Sequence, residues 1–133
     1  MVEINAYSKA KDGDKKLSTN FKVKEFACKD GSDAVLVAPR LVMVLQSIRS
    51  HFGAAVTINS GYRTPQYNTK VGGVAHSQHC YGTAADITVR GQKPAAVAAY
   101  ARQLMTDWGG VGVYAKQNFT HIDVRETRSD WDG

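Results

Sequence analysis

Between Pro39 and Gly53 the apolar residues Leu41, Leu45, Ile48 and Phe52 recur at helical spacing, so this stretch is predicted to be a helix with one buried stripe. A second helix is predicted from Pro94, with Val97, Tyr100, Ala101, Leu104, Met105 and Trp108 on one side and Gly109-Gly110 as its stop. Between the two helices Val56 and Ile58 alternate with Thr57 and Asn59, the period of a short strand. A turn or short helix follows until Gly72-Gly73 breaks it, and residues 85–89 read as another strand. Residues 111–114 and 119–124 predict a terminal hairpin. Upstream, residues 29–33 are a turn, and order is expected to begin near residues 20–26.

The first nineteen residues are polar and weakly patterned. Lys9, Lys11, Lys15 and Lys16 are interleaved there with Asp12 and Asp14, which predicts a solvated, flexible segment ahead of one domain over residues 20–133. Strands gather around the chemically interesting positions and helices cover them. The expected class is therefore α+β, a small antiparallel sheet covered by helices.

Composition narrows this picture only slightly. With 133 residues, 43% of them hydrophobic, the chain suits a single core. The net charge of +5 is spread along the chain and serves either solubility or an anionic partner. Neither a nucleic-acid motif nor a basic cluster is present, so nucleic acid is not expected as a partner. No apolar run approaches the ~18 residues of a membrane span, and the N-terminus lacks the pattern of a secretion signal. Cys28 and Cys80 are too few for a disulfide framework, though their pairing stays open. Cys80 directly follows His79 and reads as a packing residue, because neighbours in extended chain point to opposite sides.

Candidate chemistry enters at residues 77–86, S-Q-H-C-Y-G-T-A-A-D, and returns at residues 121–123, H-I-D. His79, Asp86 and His121 supply two imidazoles and a carboxylate. That is a usual ligand set for catalytic zinc, leaving the fourth tetrahedral position to water. Gly82 permits a tight turn between the first two ligands, and the small Ala84 and Ala85 allow close backbone approach. His121 and Asp123 are two apart on a strand and share a face, so Asp123 is either a partner of the histidine or an extra carboxylate in the site. Read singly, each of these residues has a bland alternative: a satisfied histidine, or a turn-capping aspartate. Together they point to a metallohydrolase.

Residues 60–68 (S-G-Y-R-T-P-Q-Y-N), 71–73 (V-G-G), 77–86 and 119–125 (F-T-H-I-D-V-R) resemble the zinc D-Ala-D-Ala carboxypeptidase family. That family also holds VanX-type D,D-dipeptidases and phage L-alanyl-D-glutamate endolysins, and it shares its fold with the hedgehog signalling domain. The resemblance runs from about residue 20 to residue 131 and implies Zn2+ on His79, Asp86 and His121. It implies a peptidoglycan stem peptide as substrate, cut next to a D-residue. It also places Arg63 over the site, either to hold a substrate carboxylate or developing oxyanion or as a structural arginine. Ser77 matches the first position of the signature, as a substrate contact or a turn stabiliser. A monomer is expected, held in the cytoplasm until release or acting at the cell wall.

One departure from the family pattern matters. Many members carry Glu or Asp three residues before the last histidine as general base, and here that residue is Asn118, which cannot take a proton near neutral pH. Asp123 is the candidate substitute; otherwise Asp86 shares its proton capacity, or the zinc hydroxide acts with little base assistance. The alternative is a catalytically degenerate zinc module that binds cell wall or a protein partner. Tyr114 and Trp131 either line a substrate groove or simply pack.

Overall fold

The computed structural model describes residues 2–133. Among these residues the chain forms seven strands and four α-helices, in the order β1 (Asn5–Ser8), α1 (Lys9–Asp12), β2 (Ala34–Val37), α2 (Pro39–Phe52), β3 (Val56–Ser60), α3 (Pro65–Lys70), β4 (Ala84–Val89), α4 (Pro94–Met105), β5 (Gly110–Tyr114), β6 (Phe119–Asp123) and β7 (Ser129–Asp132). Short 3-10 turns occupy Val23–Phe26 and Gln78–Tyr81. The class is α+β, as the patterning predicts.

The two long helices begin and end where the punctuation residues direct. Pro39 and Pro94 each stand in the first turn, where a missing N–H costs nothing. Gly53 closes α2 in the left-handed conformation. The end of α4 departs from expectation. The helix stops at Met105, Thr106 turns the chain at φ 51°, and Gly110 already belongs to β5. Trp108 therefore lies beyond the helix, where its ring meets the Arg40 guanidinium at 5.1 Å.

Regular structure starts at Asn5, not near residue 20. β1 pairs antiparallel with β2, and Asp33 holds the start of α1 by accepting from Ala10 N at 2.8 Å and Ser8 Oγ at 2.7 Å. The partners lie far apart in sequence, Asn5 opposite Val37 and Ser8 opposite Ala34, so local composition gave no sign of the pairing. Phe21, Val23 and Phe26 then enter the core with α2.

The main sheet has strand order β3-β4-β6-β5-β7. Neighbours are antiparallel except β5 and β7, so the sheet is mixed rather than purely antiparallel. One face carries Ala85, Ile87, Val89, Val111 and Ile122, all buried in the core with Leu41, Leu45 and Ile48 of α2 and Val97, Ala101 and Met105 of α4. The helices thus cover the face opposite the ligand candidates. On the other face the register aligns one residue from each strand in a transverse row: Ser60, Asp86, His121, Gly112 and Trp131. Ser60 joins that row because the pairing of β3 shifts between Ile58 and Ser60. Ile58 pairs with core-facing Ile87, and the bulge turns the strand end over to the site face.

Candidate metal centre

Asp86 and His121 are direct cross-strand partners on β4 and β6, so their side chains rise together from the sheet. His79 comes from the 3-10 turn above β4. Ser77 sets this turn, its Oγ accepting the His79 N–H at 3.2 Å, and Gly82 closes it at φ 76°. All three ligand candidates are buried, and one ligand atom from each lies within 4.8 Å of the others.

Hydrogen bonding decides which atoms face the centre. His79 Nδ1 donates to the Gly61 carbonyl at 2.8 Å, which leaves the Nε2 lone pair 3.3 Å from Asp86 Oδ1. His121 Nε2 donates to Asp123 Oδ2 at 2.8 Å, leaving Nδ1 3.0 Å from the same Asp86 oxygen. Two imidazole nitrogens and a carboxylate oxygen thus converge, with the outer nitrogen of each ring held by an acceptor. A cation, or a proton in its place, is what such a cluster of lone pairs accepts. The donor set fits a divalent metal with a histidine-orienting carboxylate behind it.

The electrostatics agree. Burial alone would raise the Asp86 pKa, but the His121 and His79 contacts outweigh it and hold the carboxyl well below its usual range. Burial likewise opposes the charged form of His121, yet Asp123 and Asp86 raise its pKa above the ordinary 6.5 in the metal-free protein.

Arg63 leans over the centre. Its Nη2 lies 3.4 Å from Asp86 Oδ2, its Nε donates to Ser60 Oγ at 3.0 Å, and its Nη1 donates to Asn68 Oδ1 at 3.2 Å. Asn68, which sequence reasoning quoted only as part of a motif, is a buried strut. Its Nδ2 also donates to the Val74 carbonyl at 2.9 Å, tying Arg63 to the lip of the cleft. Glycine at position 73 is required by the same contact, because a Cβ there would collide with the Asn68 amide. Nothing in the local sequence signals this link.

Of the two places open to Asp123, partner of the histidine or extra carboxylate in the site, the structure shows the first, which leaves it out of reach as a stand-in for Asn118. Asp123 is fully buried behind His121 and accepts four hydrogen bonds: one from His121, and three from the Arg125 backbone N–H, Nε and Nη2. Burial raises its pKa, while His121 and Arg125 together hold it well below the usual carboxylate range. Asn118 sits in the β5–β6 turn at φ 59°, where asparagine tolerates the left-handed conformation, and its carbonyl accepts from Thr88 Oγ1 at 3.3 Å.

Around the centre lies a cleft of about 560 Å³. Its floor is polar, with Arg63, His79, Asp86, His121 and Arg125, and Ser77 and Gln78 stand at its edge. One wall is the lip of residues 71–74, where Val71 and Val74 are exposed; the other is Tyr114, Phe119 and Trp131. Asp86 is the one carboxylate among the described lining residues. Tyr114 and Trp131, for which the sequence left packing and groove-lining both open, line the groove. A second groove of about 470 Å³ beside α2 is lined by residues such as Tyr7, Leu17, Val42 and Met43 and includes no histidine, cysteine or carboxylate. Cys28 and Cys80 are both free thiols and belong to neither site.

A buried two-histidine, one-aspartate cluster at the floor of an arginine-lined cleft has the donor set of a metal-dependent hydrolase site. Residues 17–123 match the Peptidase M15 family, and the chain belongs to that family. A zinc D-Ala-D-Ala carboxypeptidase of Streptomyces albus G is 36% identical over 80 residues, covering 59% of this chain and 31% of that protein. The chain thus spans under a third of the length of this relative. Among the described residues, no helix is long and apolar enough to cross a membrane.

Proposed function

We propose that this protein is a zinc-dependent peptidase that hydrolyses peptide bonds next to D-amino acids in bacterial peptidoglycan stem peptides. The observation that carries the reading is the convergence of His79 Nε2, Asp86 Oδ1 and His121 Nδ1 at the floor of an open cleft. Family membership supports peptidase chemistry, and the name of the Streptomyces albus G relative supports zinc and a D-Ala-D-Ala terminus.

His79, Asp86 and His121 hold the metal. The chemistry a bound zinc ion supplies is polarisation of the scissile carbonyl and a water acidic enough to react near neutral pH. The remaining work falls to the chain. Asp123 fixes the His121 ring and its tautomer, and Arg125 in turn fixes Asp123. Arg63 offers guanidinium N–H groups beside the centre for a substrate carboxylate or a developing oxyanion. Ser77 holds the turn that carries His79 and, at the cleft edge, lies within reach of substrate. Asp123 acts as a positioning carboxylate, and Asp86, a metal ligand with a lowered pKa, is too weak a base, so proton acceptance falls to solvent. Loss of a dedicated base slows a reaction by about 10²–10⁴-fold.

That deficit favours a second reading, a zinc module that binds wall peptide without cutting it. Incubating zinc-loaded protein with purified muropeptides, beside a chelated control, separates the two by mass spectrometry. Release of a single D-Ala marks a carboxypeptidase, and scission at an internal bond marks an endolysin-type endopeptidase. Absence of any product from zinc-bound protein overturns the enzymatic reading in favour of the binding module.

A further inference from the structure

The aromatic wall of the cleft contains a hydroxyl whose direction is set by a second aromatic residue. Trp131 Nε1 donates to the Tyr114 hydroxyl at 2.9 Å. An indole N–H is a donor and nothing else, so the phenol oxygen is the acceptor and its own proton must find another partner. The Tyr114 ring is itself immobilised, stacked on Phe119 at 4.4 Å between centroids and 9° between planes. Both rings line the cleft that holds the metal-ligand candidates.

Trp131 is placed with equal care. It stands at the end of the transverse row, paired with Gly112, and a Cβ on Gly112 would come within 2.6 Å of its indole. Its ring lies 5.0 Å from that of His121 and 5.3 Å from the Arg125 guanidinium. The strand that brings it, β7, lies wholly outside residues 17–123, the part matched by the family. Trp131 therefore stands beyond the matched segment, whereas Tyr114 and Phe119 lie within it.

We infer that Tyr114 is a substrate-contacting residue, which donates its hydroxyl hydrogen bond to an acceptor oxygen of the bound peptide, and that Trp131 is the positioning residue that aims it. The inference rests on the peptidase reading above, since it needs a peptide in the cleft. It explains why the far edge of the sheet is a parallel strand carrying tryptophan: the indole must reach across Gly112 to the phenol.

The test uses the full chain, with zinc for kinetics and with chelator for binding, and a synthetic peptide ending in D-Ala-D-Ala as the probe. Tyr114→Phe keeps the ring stack and removes the hydroxyl. It is expected to weaken peptide binding to the metal-free protein by roughly two- to tenfold, the range for one hydrogen bond, and to lower kcat/KM with zinc at least as much. Trp131→Phe keeps a ring against His121 and loses the N–H, and is expected to act in the same direction with a smaller effect. The double variant should be no worse than Tyr114→Phe alone, because the indole acts through the phenol. Effects that multiply fully in the double variant overturn the positioning role of Trp131. Wild-type protein that acts on the peptide while Tyr114→Phe matches it in both binding and kinetics overturns the assignment alone. Wild-type protein that, with zinc bound, neither binds nor cleaves the peptide overturns the peptidase reading and this inference with it.

Discussion

Ile122 and its neighbours His121 and Asp123 share one strand, yet they live on opposite faces of the sheet. Ile122 is sealed among the side chains of the core that α2 and α4 cover. His121 and Asp123 face the cleft side, where one is tied to Asp86 and the other to Arg125. The core face depends on apolar volume and tolerates exchange of similar shapes. The site face depends on the direction of individual lone pairs, and few substitutions preserve that. Two faces of one strand thus answer to different physics, and neighbouring substitutions should separate stability from chemistry.

The sharpest break is His121→Ala. It removes a proposed ligand and leaves Asp86 and Asp123 without their shared partner, so zinc binding and turnover should both disappear while the far-ultraviolet spectrum keeps its α+β form. Retained hydrolysis of muropeptides by this variant would falsify the metal assignment. One residue along, Ile122→Ala should do the reverse. It is expected to cost about 2–5 kcal/mol of unfolding free energy, measured in denaturant, with zinc affinity and activity per folded molecule little changed. Comparable losses of zinc affinity in both variants would erase the distinction between the faces.

Asp123→Asn tests the layer behind the ligand. The amide can still meet the His121 ring but loses the charge that Arg125 balances, so zinc affinity or activity should fall by about 10–100-fold with little change in fold. An unchanged zinc dissociation constant and rate would reduce Asp123 to a packing residue.

The smallest effect is one of pH. In the metal-free protein the His121 pKa is raised, so its contribution to stability is complete below about pH 6.5 and is lost as pH rises through the folded-state value. Asp86 and Asp123 have lowered pKa values, and their contributions are lost only in acid. Metal binding needs the histidines neutral and therefore gains as pH rises. The difference in melting temperature between zinc-loaded and chelated protein should widen from pH 6 to about pH 8. A constant or shrinking difference would remove His121 from the ligand set.

Much of this architecture was legible in the residues. Pro39, Gly53 and Pro94 bound the long helices because proline and glycine act locally, through one φ angle or one missing N–H. The strands of the hairpin and the three ligand candidates were likewise readable, the latter because imidazole and carboxylate in this arrangement have few other uses. The short strands β1, β2 and β7 were missed, since four residues such as S-D-W-D show no periodicity of their own. The reach of α4 was overestimated because Trp108 continued an apolar stripe that Thr106 had already broken.

What the sequence determined by itself was therefore the set of chemical groups, the helices and the strand that presents His121. Tertiary structure alone decided how those groups meet. Cross-strand register brings Asp86 beside His121, a bulge at the end of β3 turns Ser60 toward Arg63, and a parallel edge strand sets Trp131 over Gly112. It also buried Asp123 behind His121 and made Asn68 the link between Arg63 and the cleft lip. The physical reason is the same in each case. Propensity and capping are carried by neighbouring residues, whereas direction and burial are set by partners tens of residues away, whose arrival only the packed fold specifies.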